Sequence, residues 1–206
     1  MKYIQKQSEP LEFTTWKKRS RTYARFKKTA KIKHPVKTAL MKEQGYLCCY
    51  CERRLLENDS HIEHLRPQSD PDVDPLNFSN LLCSCQKELQ PDEPRHCGNA
   101  KANCDPSLLV SPLDSTCEKR FTFSSDGHIQ PTEATDSVAM KTIEQLQLDI
   151  LKLRAFRRGA IAPFLDPDLS DADFQDLVKS HLTKDSSGRF GGFWTTIDQL
   201  FGGEIT

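Results

Sequence analysis

No stretch of the 206-residue chain holds the roughly 18 consecutive apolar residues that span a bilayer, so no transmembrane helix is expected. The opening MKYIQKQSEP has no apolar h-region, so a secretory signal is not expected and a cytoplasmic location is. Internal repeats are absent, which argues against a solenoid. Net charge is absent too: 29 Lys and Arg balance 29 Asp and Glu. That balance hides an asymmetry. Residues 1–45 carry 13 basic against 3 acidic side chains, a surplus of +10, and the remainder carries −10. A basic head on an acidic body suits a polyanion or an acidic partner, or simply a solvated helix face. The length allows one sizeable core, or one domain with appendages.

Cysteine, by contrast, is plentiful. Of eight, six fall between Cys48 and Cys97. In a reducing compartment clustered thiols bind metal rather than pair as disulfides. Cys48 and Cys51, within CCYC, have the spacing that grips one zinc ion from a tight turn. The second pair comes from Cys83, Cys85 and Cys97, with His96 a lesser candidate. A site with four thiolates is structural and would pin the two ends of segment 48–97. Cys49, Cys104 and Cys117 read as small core residues.

Inside that bracket lies HIEHLRP, residues 61–67. In an extended strand His61 and Glu63 share one face and His64 takes the other. Glu63 can hold a hard cation and His64 can take a proton from water, as metal-assisted phosphodiester hydrolysis requires. One carboxylate holds Mg²⁺ weakly, so a further oxygen ligand is expected, and Asn99 can supply it. Asn80 can orient His64, through its loop or directly. Lys101 can meet phosphate. His61 reads as a neighbour rather than a ligand. The bland alternatives are a surface Glu63–Arg66 pair, a helix-capping Asn80 and a turn at Asn99.

Elsewhere the elements are simpler. Residues 1–10 read as extended, and a basic helix runs from Phe13 to about Lys33, ended by His34-Pro35. VKTALMKEQG is a short helix closed by Gly45. YLCCYCERRL is a knuckle between short strands. Residues 68–79 are loop, a short helix opens at Ser79 or Asn80, and residues 86–96 are a polar insertion. RFTFSSDGHIQP is a hairpin. Asp136 caps a long helix reaching Arg158, where Arg154, Arg157 and Arg158 suit the dipole. Ser170 and Asp173 form a capping box for a helix carrying Phe174, Leu177, Val178 and Leu182. The tail from Gly188 is rich in glycine and aromatics and docks on the body or on a partner.

EHLRP, then NLL-SC, then C-x-N-x-K resembles the HNH endonucleases, the ββα-metal nucleases, over about residues 46–103. The opening MKYIQKQSEPLEFTTWK and the segments DPSLLVSPLD, FTFSSDGHIQP and TIEQLQLDILKLRAFRR are similar to the PtuB-like HNH nucleases of retron and Septu anti-phage systems. The resemblance implies an α+β fold with a zinc-bracketed ββα-metal core, flanking helices and a β-hairpin. It divides the chain into a basic helical segment (1–45), a nuclease core (46–104) and a hairpin and helical region (105–206). It implies Glu63 and Asn99 at a catalytic Mg²⁺ or Mn²⁺, His64 as general base and Asn80 as the middle motif residue. It also implies Cys48, Cys51, Cys85 and Cys97 at a structural Zn²⁺. Relatives often have a compact C-x-x-C as the second pair, where residues 86–96 intervene here, so Cys83 stays a competitor of Cys85. Arg66 and Lys101 are the expected nucleic-acid contacts, with DNA or RNA as substrate and an ABC/SMC-like ATPase (PtuA-like) as partner. The competing reading is a non-catalytic zinc module that binds nucleic acid or the ATPase.

Overall fold

A computed structural model describes residues 1–19 and 22–204. Residues 20 and 21, inside the expected basic helix, and residues 205 and 206 of the tail lie outside the described residues. Helices are interspersed with two small antiparallel sheets, consistent with an α+β fold. No helix among the described residues is long and apolar enough to cross a membrane.

The basic head forms α1 (Leu11–Arg19), α2 (Tyr23–Lys28) and α3 (Ala30–Glu43). Pro35 does not end a helix, as the sequence suggests, but lies inside α3. An interior proline costs about 3 kcal/mol. Burial of Val36, Leu40 and Met41 just beyond it offsets this, at about 1.5–3 kcal/mol for each fully buried side chain. Gly45 closes α3 as expected. At φ +59° it sits in a Schellman turn, with Gly45 N–H donating to Lys42 O (3.0 Å) and Tyr46 N–H to Met41 O (2.7 Å). Phe13, Phe26, Val36 and Leu40 join the same core as the strands, so the head is packed in rather than a free arm.

Strand β1 (Ser60–His64) pairs antiparallel with β2 (Leu81–Cys85), Ser60 opposite Cys85 and His64 opposite Leu81. The helix expected at Ser79 or Asn80 is a single 3-10 turn, Phe78–Asn80, capped by Asn77, after which the chain extends as β2. All of β2 is buried. A short run buried on both faces has no alternation that would distinguish strand from helix. The cysteine knuckle is flanked by one bridge, Leu47 to Arg54, rather than by two strands. One helical turn, α4 (Gly98–Lys101), follows the polar insertion.

The expected hairpin is β3 (Phe121–Phe123) with β4 (Ile129–Pro131). Asp136 caps α5 (Ser137–Gln145), accepting from Ala139 N–H at 2.9 Å. The single long helix expected here breaks and resumes as α6 (Leu151–Ile161). The break is a second Schellman turn: Gln147 N–H donates to Glu144 O (3.1 Å) and Leu148 N–H to Ile143 O (2.9 Å). Gln147 has φ +52°, and no glycine announces it. A left-handed side-chain-bearing residue costs about 1–2 kcal/mol. The break frees carbonyls. Leu146 O takes Cys97 N–H (2.9 Å), and Leu148 O takes the guanidinium of Arg157 (2.6 Å). Arg157 is therefore buried, not an exposed charge at a helix end.

The Ser170–Asp173 capping box opens α7 (Asp171–Leu182). The tail docks on the body through α8 (Trp194–Phe201), which shares a second apolar cluster with α6 and α7 around Ile161, Val178 and Ile197. Thr195 N–H bonds the buried Glu52 carboxylate at 2.7 Å, and Glu52 also holds the Met1 ammonium at 2.6 Å.

Candidate metal centre and adjoining cavity

Cys48, Cys51, Cys85 and Cys97 bring their thiols together, all within 4.8 Å of one another and all buried. Cys51 Sγ and Cys85 Sγ are 3.7 Å apart. Sulfurs about 2.3 Å from one tetrahedral ion lie about 3.8 Å apart, so that pair already has the span of two zinc ligands, with the other two thiols close by. Every one of these cysteines is a free thiol. Burial opposes ionisation of Cys48, but the neighbouring thiols that donate to it pull it well below the usual range. The thiol of Cys85 is pushed well up by Cys48 and Cys51, and that of Cys97 by burial and then by the same neighbours. Several negative charges in one buried space repel, so four thiolates there need a cation among them. The cluster therefore could hold a structural zinc ion. Cys83 lies outside it, its thiol pushed up to about 12 by burial. His96 lies beside it, with Nδ1 3.1 Å from Cys97 Sγ and 3.8 Å from Cys85 Sγ.

Each arm of the cluster reaches toward one cavity of about 440 Å³, lined among others by His61, Glu63, His64, Gln68, Asn99 and Lys101. Tyr50, within the knuckle, donates to Glu63 Oε1 at 3.3 Å. Cys97 leads into α4, which carries Asn99 and Lys101. Cys97 (φ +56°, ψ −132°) and Ala102 (φ +48°, ψ −125°) flank this turn in sparsely populated conformations. Such residues cost about 1–3 kcal/mol each and persist only where surrounding contacts hold them. Here Leu146 O fixes the Cys97 amide.

The sequence-predicted residues fall as follows. Glu63 is buried, and Lys101 Nζ lies 3.1 Å from its Oε1. Lys101 itself is only 2% exposed, so its charge is turned inward onto that carboxylate. His64 Nε2 lies 3.0 Å from Pro75 O. A carbonyl only accepts, so Nε2 carries the proton and Nδ1 keeps its lone pair, met by the Gln68 amide at 3.2 Å. Burial lowers the His64 pKa below the ordinary histidine range, which keeps the ring neutral near pH 7. Asn80 does not touch His64. It grips the backbone of Arg66 twice, accepting from the N–H (2.8 Å) and donating to the carbonyl (3.0 Å), and so fixes the loop after β1. Asn99 lines the cavity and donates its amide to Gln86 O at 2.6 Å, which leaves Oδ1 available. Arg66 pairs with Asp70 at 2.6 Å and lines an adjoining hollow of about 650 Å³ that shares Pro67, Ser69 and Asn103.

Sequence reasoning missed three participants. Tyr50 sits between zinc-spaced cysteines, where only the fold reveals its target. Gly98 abuts Glu63 and His61 so closely that a Cβ would lie 2.5 Å from Glu63 Oε2. Tyr23 of α2 stands edge-on to the His64 ring, centroids 4.9 Å apart, so the basic head helps wall the site.

A buried thiol cluster beside a carboxylate, a neutral imidazole and a free amide oxygen supplies the groups of metal-assisted hydrolysis. No family model matches the chain. A protein of Vibrio cholerae serotype O1 biovar El Tor, named as the candidate HNH endonuclease of retron Vc95, is 31% identical over 103 residues. That match covers 48% of this chain and 48% of that protein, so the chain spans about half the length of the curated relative it matches.

Proposed function

We propose that the chain is a metal-dependent HNH endonuclease of the PtuB-like kind. It hydrolyses nucleic-acid phosphodiester bonds as effector of a retron or Septu anti-phage system, acting with an ABC/SMC-like ATPase. The name of the Vibrio relative supports the nuclease and retron readings. The observation that carries the chemistry is the 3.0 Å approach of His64 Nε2 to Pro75 O, which sets the tautomer. With Nε2–H committed to Pro75 O, Nδ1 takes the proton of the attacking water, and the Pro75 carbonyl stabilises the resulting imidazolium. The Gln68 amide yields its place to that water.

Glu63 and Asn99 hold the divalent ion, Mg²⁺ or Mn²⁺. When bound, it supplies Lewis-acid charge at the phosphate and the leaving 3′ oxygen. Tyr50 and Lys101 orient Glu63 through Oε1. Asn80 acts as a positioning residue for the loop after β1. Arg66 and the basic head are the proposed phosphate contacts, and residues 46–104 the nuclease core; the expected phosphate contact by Lys101 gives way to its buried pairing with Glu63.

The test is cleavage of plasmid DNA and of cellular RNA by the chain, alone and purified with a co-encoded ATPase, with Mg²⁺ or Mn²⁺ and with a chelator. Metal-dependent cleavage should fall at least about 10²-fold in His64→Ala, since a general base contributes roughly 10²–10⁴-fold. Cleavage equal in His64→Ala, or none from chain or complex with any metal, overturns the reading and leaves the non-catalytic zinc module.

A further inference from the structure

We infer that His61 is a third protein ligand of the catalytic ion, which makes the site an imidazole–carboxylate set that prefers Mn²⁺ or a later first-row metal to Mg²⁺. The inference rests on the metal-dependent nuclease reading of the same cavity and adds a residue and a metal class to it.

Alternation along β1 turns His61 and Glu63 to one face, and His61 Nε2 lies 3.5 Å from Glu63 Oε2. That is too long for a good N–H···O bond, so the pair gains little from each other as they stand. It is close to the span of two ligands on one ion. Donors about 2.1 Å from a metal lie about 3.0 Å apart across a right angle and about 3.4 Å apart across a tetrahedral one.

The two oxygens of Glu63 have different surroundings. Lys101 and Tyr50 both approach Oε1, at 3.1 Å and 3.3 Å. Oε2 is left, and it is the oxygen that faces His61. The room in front of both atoms exists because residue 98 is glycine: a Cβ there would lie 2.5 Å from Glu63 Oε2 and 2.9 Å from His61 Nε2. Nδ1 of His61 is buried and has no partner among the described residues, so no hydrogen bond turns the ring elsewhere. Asn99 lines the same cavity with its oxygen available. Imidazole donors suit zinc, nickel, copper and iron, whereas Mg²⁺ favours an all-oxygen shell; Mn²⁺ accepts both.

The experiment uses the full chain, with its zinc content measured, and Mn²⁺ as probe. Titration followed by electron paramagnetic resonance gives the affinity, and electron spin-echo modulation reports a directly bound ¹⁴N. The wild type should bind Mn²⁺ with nitrogen modulation, and Glu63→Ala should abolish binding. His61→Ala should lose the modulation and bind at least about tenfold more weakly, since even partners behind a ligand are worth 10–100-fold. His61→Asp should bind without the modulation and let Mg²⁺ compete better. Zinc content equal to wild type shows that the variants are folded. Glu63-dependent binding with no nitrogen signal, or a signal that survives in His61→Ala, overturns the role of His61 alone. Mn²⁺ binding unaffected by Glu63→Ala removes the nuclease reading of the cavity and this inference with it.

Discussion

Gly98→Ala separates the stability of the fold from the working of the site. The backbone there is not in the left-handed region, so alanine meets no conformational penalty. As a residue of α4 it gains up to about 1 kcal/mol in helix propensity and chain entropy. Its methyl group, however, would lie 2.5 Å from Glu63 Oε2, about 1 Å inside ordinary contact. The obstructing atoms are ends of side chains, so they move rather than split the core. Overpacking of this kind costs about 1–3 kcal/mol, which leaves a net loss of about 0–3 kcal/mol. For a chain of this size that lowers Tm by no more than about 12 °C. Function is hit harder. Glu63 is tied by Lys101 and Tyr50, so it cannot retreat while keeping its aim. A displacement near 1 Å at a reacting centre costs about 10²-fold. Thermal melting, Mn²⁺ titration and cleavage on the same preparation decide the matter. A folded Gly98→Ala protein with wild-type metal affinity and cleavage would refute the assignment of this space to the ion.

Three further outcomes follow from the same contacts. Asn80→Ala removes both bonds to the Arg66 backbone, at about 1–3 kcal/mol by denaturant unfolding, and should also slow cleavage; Asn80→Asp sets a carboxylate oxygen against the Arg66 carbonyl and should be no milder. Metal analysis should give about one tightly held zinc per chain in the wild type, and Cys48→Ser with Cys51→Ser should lose it and with it cooperative unfolding. The Asp136 carboxyl is held at about 2, by the Arg120 guanidinium first and the α5 amide after it. A carboxyl depressed on folding contributes fully above the ordinary range near 4 and loses that contribution as pH falls toward 2. The Tm gap between wild type and Asp136→Ala, set near neutral pH by about 0.5–2 kcal/mol of capping, should therefore shrink between pH 4 and 2.

What was legible in the sequence was local. The Asp136 and Ser170 caps, the Gly45 stop and the β3–β4 hairpin each depend on neighbours a few residues away. β1 was legible for the same reason, and with it the opposite faces of Glu63 and His64. Features decided by distant partners were not. Pro35 is tolerated because the residues after it reach the core. The break at Gln147 carries no glycine, and its gain is a carbonyl offered to Cys97. β2 has no polar face to set its period. Cys83 and Cys85 share one face of β2, so within the site the choice between them follows from where along that strand the knuckle meets it. The inward turn of Lys101 follows from the buried carboxylate it meets, and spacing encodes neither.

The polar insertion between Cys85 and Cys97 leaves and returns at two residues whose thiols meet in one cluster. Its ends are already together, so lengthening it adds only loop-closure entropy, about 0.6 kcal/mol for each doubling. The number of residues between those cysteines is thus loosely constrained, whereas Gly98, directly after the second, abuts Glu63 and His61, and Asn99 and Lys101 line the cavity. A search pattern that fixes the gap will pass over chains built this way.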